Sequence, residues 1–269
     1  MAGDASWLDL LGAALGGAGT VKAFDIAYQE LRHRSDRKRT AKAFVDKHLD
    51  PLLKATDELV GKLRSLAETD FSDIHNVNSA ATVLSSRDFG SVLYLFGRFW
   101  AQVDLLRRQG LSIAWAEDAR GKKLHDFLDC LESRRVRIID RISQRAIGEV
   151  TLGNHPTATE PMPFIEFVRV YERDEVFRRW LYPLVVVLAR TRHTRERQLL
   201  LQYWAVLHAL IDTLDREHIV TRDRPGLPQK LTKRSWRALK FRVFGTYLKF
   251  VTDAGKYLGP PKRRPQAKS

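Results

Sequence analysis

One histidine and two aspartates stand at helical spacing near the end of a long apolar segment. His208, Asp212 and Asp215 are separated by four and three residues in TRERQLLLQYWAVLHALIDTLDREH, and a helix places residues so spaced along one flank. Imidazole and carboxylate groups bind metal ions and carry protons. A polar helix edge explains the three residues more simply. They are therefore a weak candidate metal site, and we expect neither a bound cofactor nor a catalytic residue.

The other groups that could do chemistry are better explained as structure. His125 lies beside Asp126 and Asp129 on a segment whose lysines neutralise the acids, which predicts a solvated helix face. The single cysteine, Cys130, excludes an internal disulfide and a cysteine-based zinc site, and its apolar neighbours predict a small buried side chain. No phosphate-binding glycine loop, zinc-protease motif or nucleophile elbow is present.

Positive charge is concentrated in two segments. The chain has 269 residues and a formal net charge of +14. RHRSDRKRT, residues 32–40, has five basic residues and one acid, and residues 231–269 have eleven and one, so the rest of the chain is neutral. Such localisation favours contact with an anionic partner, while bases that simply stay in solvent and keep the protein soluble are the other interpretation. The candidate contact residues are Arg32, Arg34, Arg37, Lys38, Arg39, Lys233, Arg234, Arg237 and Lys240, with Trp236 among the last four.

A glycine- and alanine-rich apolar stretch precedes the first basic segment. Its uncharged part, Leu10 to Val21, has 12 residues, whereas a bilayer span needs about 20. Gly12 and Gly16 have the spacing that favours helix association in lipid, and the bases that follow fit the positive-inside rule. Three interpretations stay open: a marginal span, an interfacial or partner-binding helix, and a glycine-weakened helix packed on the body. The predicted apolar anchor is formed by Trp7, Leu8, Leu11 and Leu15.

Apolar residues recur every three or four positions along the rest of the chain, which indicates helices and no sustained strands. The predicted fold is all-α, an irregular multi-helix bundle of about six to eight helices. The periodic segments are 40–68, 86–110, 122–150, 164–191, 194–218 and 232–258. The predicted organisation is an N-terminal helix over 1–31, a basic linker over 32–40, a helical domain over 41–258 with a candidate seam at 151–163, and a disordered basic tail over 259–269.

Local signals refine these helices. Ser86 is placed to cap the segment that follows it. Pro51 indicates either a helix start after Asp50 or a longer helix that contains the proline, and Pro183 predicts a kink or a break. The 232–258 segment reads as one amphipathic helix with a wide apolar face. Its face contains Trp236, Leu239, Val243, Tyr247, Phe250, Ala254 and Tyr257, extended by Phe241, Phe244, Leu248 and Val251.

No motif indicates a known family, so the functional hypothesis rests on charge beside an apolar segment. We expect a non-enzymatic helical interaction protein that docks on an anionic membrane surface or a membrane protein, in the cytoplasm at the inner face of a membrane. The alternative is a helical protein that binds nucleic acid through the same bases. An enzyme is the third interpretation, because a site assembled from distant residues leaves no local pattern.

Overall fold

Helices form all of the regular structure in residues 18–75, 83–84, 86–110, 113–153, 159–227 and 230–259, the part of the chain that the computed structural model describes. The predicted all-α multi-helix bundle is therefore confirmed. The anchor residues Trp7, Leu8, Leu11 and Leu15, residues 154–158 of the candidate seam and residues 260–269 of the tail lie outside the described residues.

The main helices follow one another with short connections. They are α1 (Ala18–Glu68), α2 (Arg87–Gly110), α3 (Ala119–Glu132), α4 (Arg141–Leu152), α5 (Phe164–Arg173), α6 (Glu175–Ala189) and α7 (Thr194–Leu214). The C-terminal part contains α8 (Lys233–Arg237), a π-helical segment (Ala238–Phe244) and α9 (Ala254–Leu258), and 3₁₀ turns cover Ser72–Ile74 and Trp115–Glu117.

The basic segment predicted as a linker, residues 32–40, is helical. It lies inside α1, a helix of 51 residues. Residues 20–50 contain neither glycine nor proline, and their many Arg, Lys and Ala residues have high helix propensity. Arg34 Nε also donates to Glu30 Oε1 over 3.0 Å, a favourable pair one helical turn apart. Charge alone does not interrupt a helix, and the expected linker is wrong for that reason.

Pro51 lies inside α1, so of the two alternatives the longer helix is the one observed. A proline within a helix leaves the carbonyl group four residues earlier without its usual partner. Pro51 and Lys47, the residue that carries that carbonyl, are both exposed. Water can therefore replace the missing hydrogen bond.

Two predicted single segments are each divided into two helices by a capping aspartate. In 122–150 the break falls between α3 and α4, where Asp140 Oδ1 accepts from Ser143 N over 2.9 Å. Ile142, in the first turn of α4, is 72% exposed. In 164–191 the break falls at Asp174, whose Oδ1 accepts from Val176 N over 2.8 Å, while Pro183 lies inside α6.

The predicted C-terminal helix over 232–258 is interrupted. A π-helical segment follows α8, with Gly245 N donating to Lys240 O over 3.0 Å and Leu248 N to Val243 O over 3.0 Å, both five residues apart. The wider turn changes the helical period. Leu239, Val243 and Leu248 stay buried, whereas Phe241, predicted on the apolar face, is 59% exposed.

One cluster of buried side chains extends from Phe44 to Leu258. Trp100 Nε1 donates to Tyr203 Oη over 2.9 Å, and Trp204 Nε1 donates to Val60 O over 3.2 Å. These bonds join α7 to α2 and to α1 while satisfying buried polar groups. Cys130 is fully buried, as predicted, and burial raises the pKa of its thiol to about 12.

The helices α2 and α4 approach closely at a glycine. A methyl group on Gly148 would lie 2.6 Å from the carbonyl oxygen of Trp100, which is backbone and cannot rotate away. On the facing helix, a methyl group on Gly97 would lie 2.7 Å from Thr151 Oγ1. The absence of a side chain at these positions sets the distance between the two helices.

Gly148→Ala should therefore destabilise the fold, because α2 and α4 must separate to admit the methyl group. We expect a loss of about 1–3 kcal/mol in the free energy of unfolding, measured by urea denaturation. Gly255→Ala is the matched control, since its methyl group would meet nothing nearer than Asp253 Oδ1 at 3.5 Å. Equal stability of the Gly148→Ala variant and the wild type would contradict the packing described.

Candidate functional site

The N-terminal part of α1, residues 18–40, extends beyond the bundle and is called the arm below. Every side chain from Tyr28 to Thr40 is exposed, whereas Ala41 is 1% exposed and begins the buried part of the helix. With a rise of about 1.5 Å per residue, the arm is about 34 Å long. The arm is thus a helix with no tertiary packing over its described side chains.

The predicted contact residues of the first basic segment all lie on the arm. Arg32, Arg34, Arg37, Lys38 and Arg39 are exposed. In the described part of the chain, Arg34 alone among them forms an ion pair, with Glu30. Tyr28 and Leu31, one turn before these bases, are each 66% exposed. The arm therefore presents apolar side chains directly beside unpaired positive charge.

The second predicted group of bases forms a separate surface, the C-terminal patch. Lys233, Arg234, Arg237 and Lys240 are exposed, and Trp236 is half-buried with Nε1 donating to Gly259 O over 2.8 Å. Lys240 Nζ lies 4.8 Å from the centre of the Trp236 ring and 5.5 Å from that of Phe241. This arrangement is a cation–π contact at the protein surface.

The arm and the C-terminal patch do not form one surface. Lys230 Nζ lies 3.2 Å from Asp70 Oδ1, just beyond the C-terminal end of α1. From Thr40 to Glu68 the helix rises about 42 Å. Lys233, three residues after Lys230, therefore lies tens of ångströms from residues 32–40, which we call the basic block. The two basic segments act as separate sites.

A third site surrounds the predicted candidate Asp212. His218 Nε2 lies 3.6 Å from Asp212 Oδ1 and 3.6 Å from Asp223 Oδ1. Lys256 Nζ lies 2.8 Å from Asp212 Oδ2 and 3.1 Å from Asp223 Oδ1. Tyr257 Oη donates to Asp212 Oδ2 over 2.9 Å. We call these residues, with His208, the Asp212 cluster.

His208 is buried against the cluster. It is 1% exposed, and its Nε2 lies 3.7 Å from Asp212 Oδ2, beyond hydrogen-bonding distance. Neither ring nitrogen has a hydrogen-bond partner among the described residues, and neither has Asp212 Oδ1. Burial lowers the pKa of His208 to about 4, against partial opposition from the Asp212 carboxylate. The ring is therefore neutral at pH 7.

Lys256 stays charged despite its partial burial. Burial by itself would lower the pKa of Lys256, but hydrogen bonds to Asp212 and Asp223 outweigh it and raise the pKa above its usual value. The same hydrogen bond from Lys256 lowers the pKa of Asp223. The cluster thus pairs two carboxylates with one ammonium group.

Asp215 does not join His208 and Asp212 as the helical spacing suggested, because α7 ends at Leu214. Its Oδ1 accepts from Ile219 N over 2.9 Å, and its Oδ2 accepts from Val220 N and Thr221 N over 3.0 and 2.9 Å. These bonds fold the loop that presents His218 and Asp223. Asp215 therefore organises the loop, and both of its carboxylate oxygens accept hydrogen bonds from that loop.

Sequence reasoning found Asp212 and His208 but missed His218, Asp223, Lys256 and Tyr257. His218 and Asp223 belong to an irregular loop, in which spacing carries no information about distance. His218 has a φ of 51°, which no local pattern in the sequence indicates. The signal that was available is Asp215 directly after an apolar helix, since an aspartate there commonly accepts from amides of the following turn.

The third predicted group is a solvated face, as expected. His125 Nδ1 lies 4.0 Å from Asp126 Oδ1 and 3.6 Å from Asp129 Oδ2, and His125 and Asp129 are exposed while Asp126 is half-exposed. They provide a useful comparison for the Asp212 cluster, because they have the same residue types without burial.

Comparisons with models of known protein families, with curated protein sequences and with solved structures found no match for this chain. Across the described helices, none combines the length and the apolar character that crossing a bilayer requires. The observations that bear on function are therefore the arm, the C-terminal patch and the Asp212 cluster.

Asp215→Ala should destabilise the protein, because three backbone amides of the loop lose a charged acceptor. We expect a loss of about 2–3 kcal/mol at pH 7. Burial would raise the pKa of Asp215, but hydrogen bonds from Thr221 and three amides outweigh it and lower the pKa below 3.8. The stabilisation is therefore present above the unfolded pKa and lost as pH falls through the folded pKa.

The measurement is the free energy of unfolding of both proteins between pH 7 and pH 2. The difference between wild type and variant should shrink below about pH 3.8, the unfolded value. Asp174→Ala is the control, an ordinary helix cap whose loss should cost about 1 kcal/mol. A difference no larger than that of the control would contradict the role assigned to Asp215.

Proposed function

We propose that this protein docks on an anionic membrane surface through the arm, as a non-enzymatic interaction protein. The supporting observation is that residues 28–40 are helical and exposed on every side, while burial begins at Ala41. We place the protein in the cytoplasm at the inner face of a membrane, because that leaflet carries the anionic lipids.

The first argument is the stability of the arm. Most helices in proteins depend for their stability on packing of an apolar face, and the arm is joined to such packing only at its C-terminal end. Tyr28 and Leu31 are apolar side chains on the arm that no other part of the described chain covers. A membrane interface supplies an apolar layer for such side chains and water for the polar ones. Docking therefore provides the packing that the bundle does not.

The second argument is electrostatic. The basic block contains five bases and one acid, and each base near an anionic membrane contributes about 1 kcal/mol. The block therefore supplies several kcal/mol, enough for reversible docking when combined with Tyr28 and Leu31. The attraction falls off within about 8–10 Å at physiological salt, so the distant C-terminal patch adds nothing to this contact.

The alternative function, nucleic-acid binding, is favoured by one feature of the C-terminal patch. Trp236 and Phe241 lie beside Lys240 and three further bases, and aromatic rings next to bases can stack nucleobases and neutralise phosphates. The arm has five exposed bases against four in the patch, but it has no tryptophan or phenylalanine among its described side chains. We therefore assign membrane docking to the arm and keep nucleic-acid binding as the second hypothesis.

Flotation with liposomes tests the proposal. The full chain should float with vesicles that contain phosphatidylserine at low salt, and should not float with neutral phosphatidylcholine vesicles. The arm variant R32Q/R37Q/R39Q should lose binding on the order of 100-fold, since three contributions of about 1 kcal/mol are removed. Glutamine keeps a high helix propensity, so the helix itself is retained.

The matched control is K233Q/R234Q/R237Q, which removes three bases from the C-terminal patch and should bind vesicles like the wild type. Equal loss in both variants would contradict docking through the arm. A chain that does not float with anionic vesicles at low salt, but retains a single-stranded oligonucleotide until salt is raised, would replace the proposal by the alternative.

A further inference from the structure

We propose that Asp212, His218 and Asp223 bind a divalent transition metal ion of the zinc class, in competition with the ammonium group of Lys256. The three side chains offer one imidazole nitrogen and two carboxylate oxygens, all within 4.8 Å of one another. Two further observations distinguish them from an ordinary ion-pair group: the spacing of the donor atoms and the burial of His208.

The spacing fits tetrahedral coordination. Zinc bonds to His and Asp are about 2.0–2.2 Å long, which places neighbouring donor atoms about 3.3–3.5 Å apart. His218 Nε2 lies 3.6 Å from Asp212 Oδ1 and 3.6 Å from Asp223 Oδ1. Small side-chain shifts therefore bring the donors to bonding positions. The imidazole favours zinc-class ions over Ca²⁺ and Mg²⁺, which prefer oxygen donors.

The burial of His208 points to a larger change at this site. Its side chain is 1% exposed, with both ring nitrogens unpartnered, and Nε2 faces Asp212 Oδ2 at 3.7 Å. Lys256 and Tyr257 both donate hydrogen bonds to that carboxylate oxygen. If Lys256 leaves, His208 can donate to Asp212 Oδ2 while Oδ1 binds the metal. His208 is then a positioning residue, in the manner of the outer groups that orient metal ligands.

Lys256 is the competitor because its ammonium group occupies the cation position. It bonds to Asp212 and Asp223, which carry a charge of −2 together, and one ammonium group neutralises half of that charge. A divalent ion neutralises all of it. The Lys256 side chain is 27% exposed, and its flexible stem gives it a route to solvent. Metal binding thus exchanges one bound cation for another.

The site is held in place from two sides. Asp215 folds the loop through backbone amides, and Arg224 binds Asp57 of α1 with Nε–Oδ1 and Nη2–Oδ2 distances of 2.9 and 3.1 Å. The ligands therefore come from a helix end and from a loop that is fixed at both of its ends. Such preorganisation reduces the entropy lost when a metal binds.

Calorimetric titration of the full chain with Zn²⁺, carried out without an affinity tag, tests the proposal. We expect one ion per chain and, with Co²⁺ as the probe, the visible absorption of a tetrahedral site. Asp223→Asn and His218→Asn should each weaken Zn²⁺ affinity at least 100-fold, since loss of an outer group alone costs about 10–100-fold. Asparagine tolerates the positive φ of residue 218, so the loop can still form.

Lys256→Met is the decisive variant. It removes the competing cation and should bind Zn²⁺ at least tenfold more tightly than the wild type. His125→Asn is the matched control, because His125 is exposed and lies beside two aspartates, and it should bind Zn²⁺ like the wild type. Unfolding temperatures measured without metal show that each variant is folded.

Three results would overturn the proposal. The first is Zn²⁺ affinity that does not change in Asp223→Asn and His218→Asn. The second is a Lys256→Met variant that binds no more tightly than the wild type. The third is binding by Lys256→Met alone, which would mean that Lys256 excludes metal from the native chain. None of these measurements involves vesicles, so the outcome is independent of membrane docking.

Discussion

Packing of α1 against the bundle ends at Ala41, while the helix itself continues to Ala18. The backbone hydrogen bonds of a helix are local and need no partner, but the burial that stabilises a helix in water requires one. The arm is thus the part of α1 in which hydrogen bonding continues and burial does not. The described bases of the basic block all lie in this part, which is why the docking proposal depends on the length of α1.

The same helix links the arm to the two other sites. Asp57, in the buried half of α1, binds Arg224 of the loop that presents His218 and Asp223. Asp70, just after α1 ends, binds Lys230 before the C-terminal patch. The helix therefore connects the arm to the Asp212 cluster through Asp57 and ends next to the contact that leads to the C-terminal patch.

The sequence predicts a helix correctly where one continuous apolar pattern corresponds to a single helix. The segments that became α2 and α7 have unbroken apolar stripes, and Ser86 caps α2 as expected, with Phe89 N donating to its hydroxyl group over 3.3 Å. The breaks at Asp140 and Asp174 were missed because each aspartate lies within a continuous apolar pattern. A charged residue there is equally compatible with a solvated position on one long helix, and only tertiary packing decides between the two. The π-helical segment was missed because its wider turn is stabilised by burial of Leu239, Val243 and Leu248.

A site could be predicted from the sequence more completely when its residues lie close together along the chain. The basic block is contiguous in sequence, so its exposure follows from its composition, although its helical structure was mistaken for a linker. The Asp212 cluster combines a helix end, a loop and α9, and its distances depend on the fold of the whole domain. Helical spacing therefore identified Asp212 and misassigned Asp215, whose hydrogen bonds are made to amides beyond the end of the helix.

Hydrogen exchange of the arm with and without anionic vesicles tests the central claim most directly. In water, the amides of residues 28–40 should exchange much faster than those of the buried part of α1, because no tertiary contact protects them. Anionic vesicles should slow exchange in residues 28–40 and leave the bundle unchanged, and neutral vesicles should have no effect. Exchange of residues 28–40 that is the same with and without anionic vesicles would contradict docking through the arm.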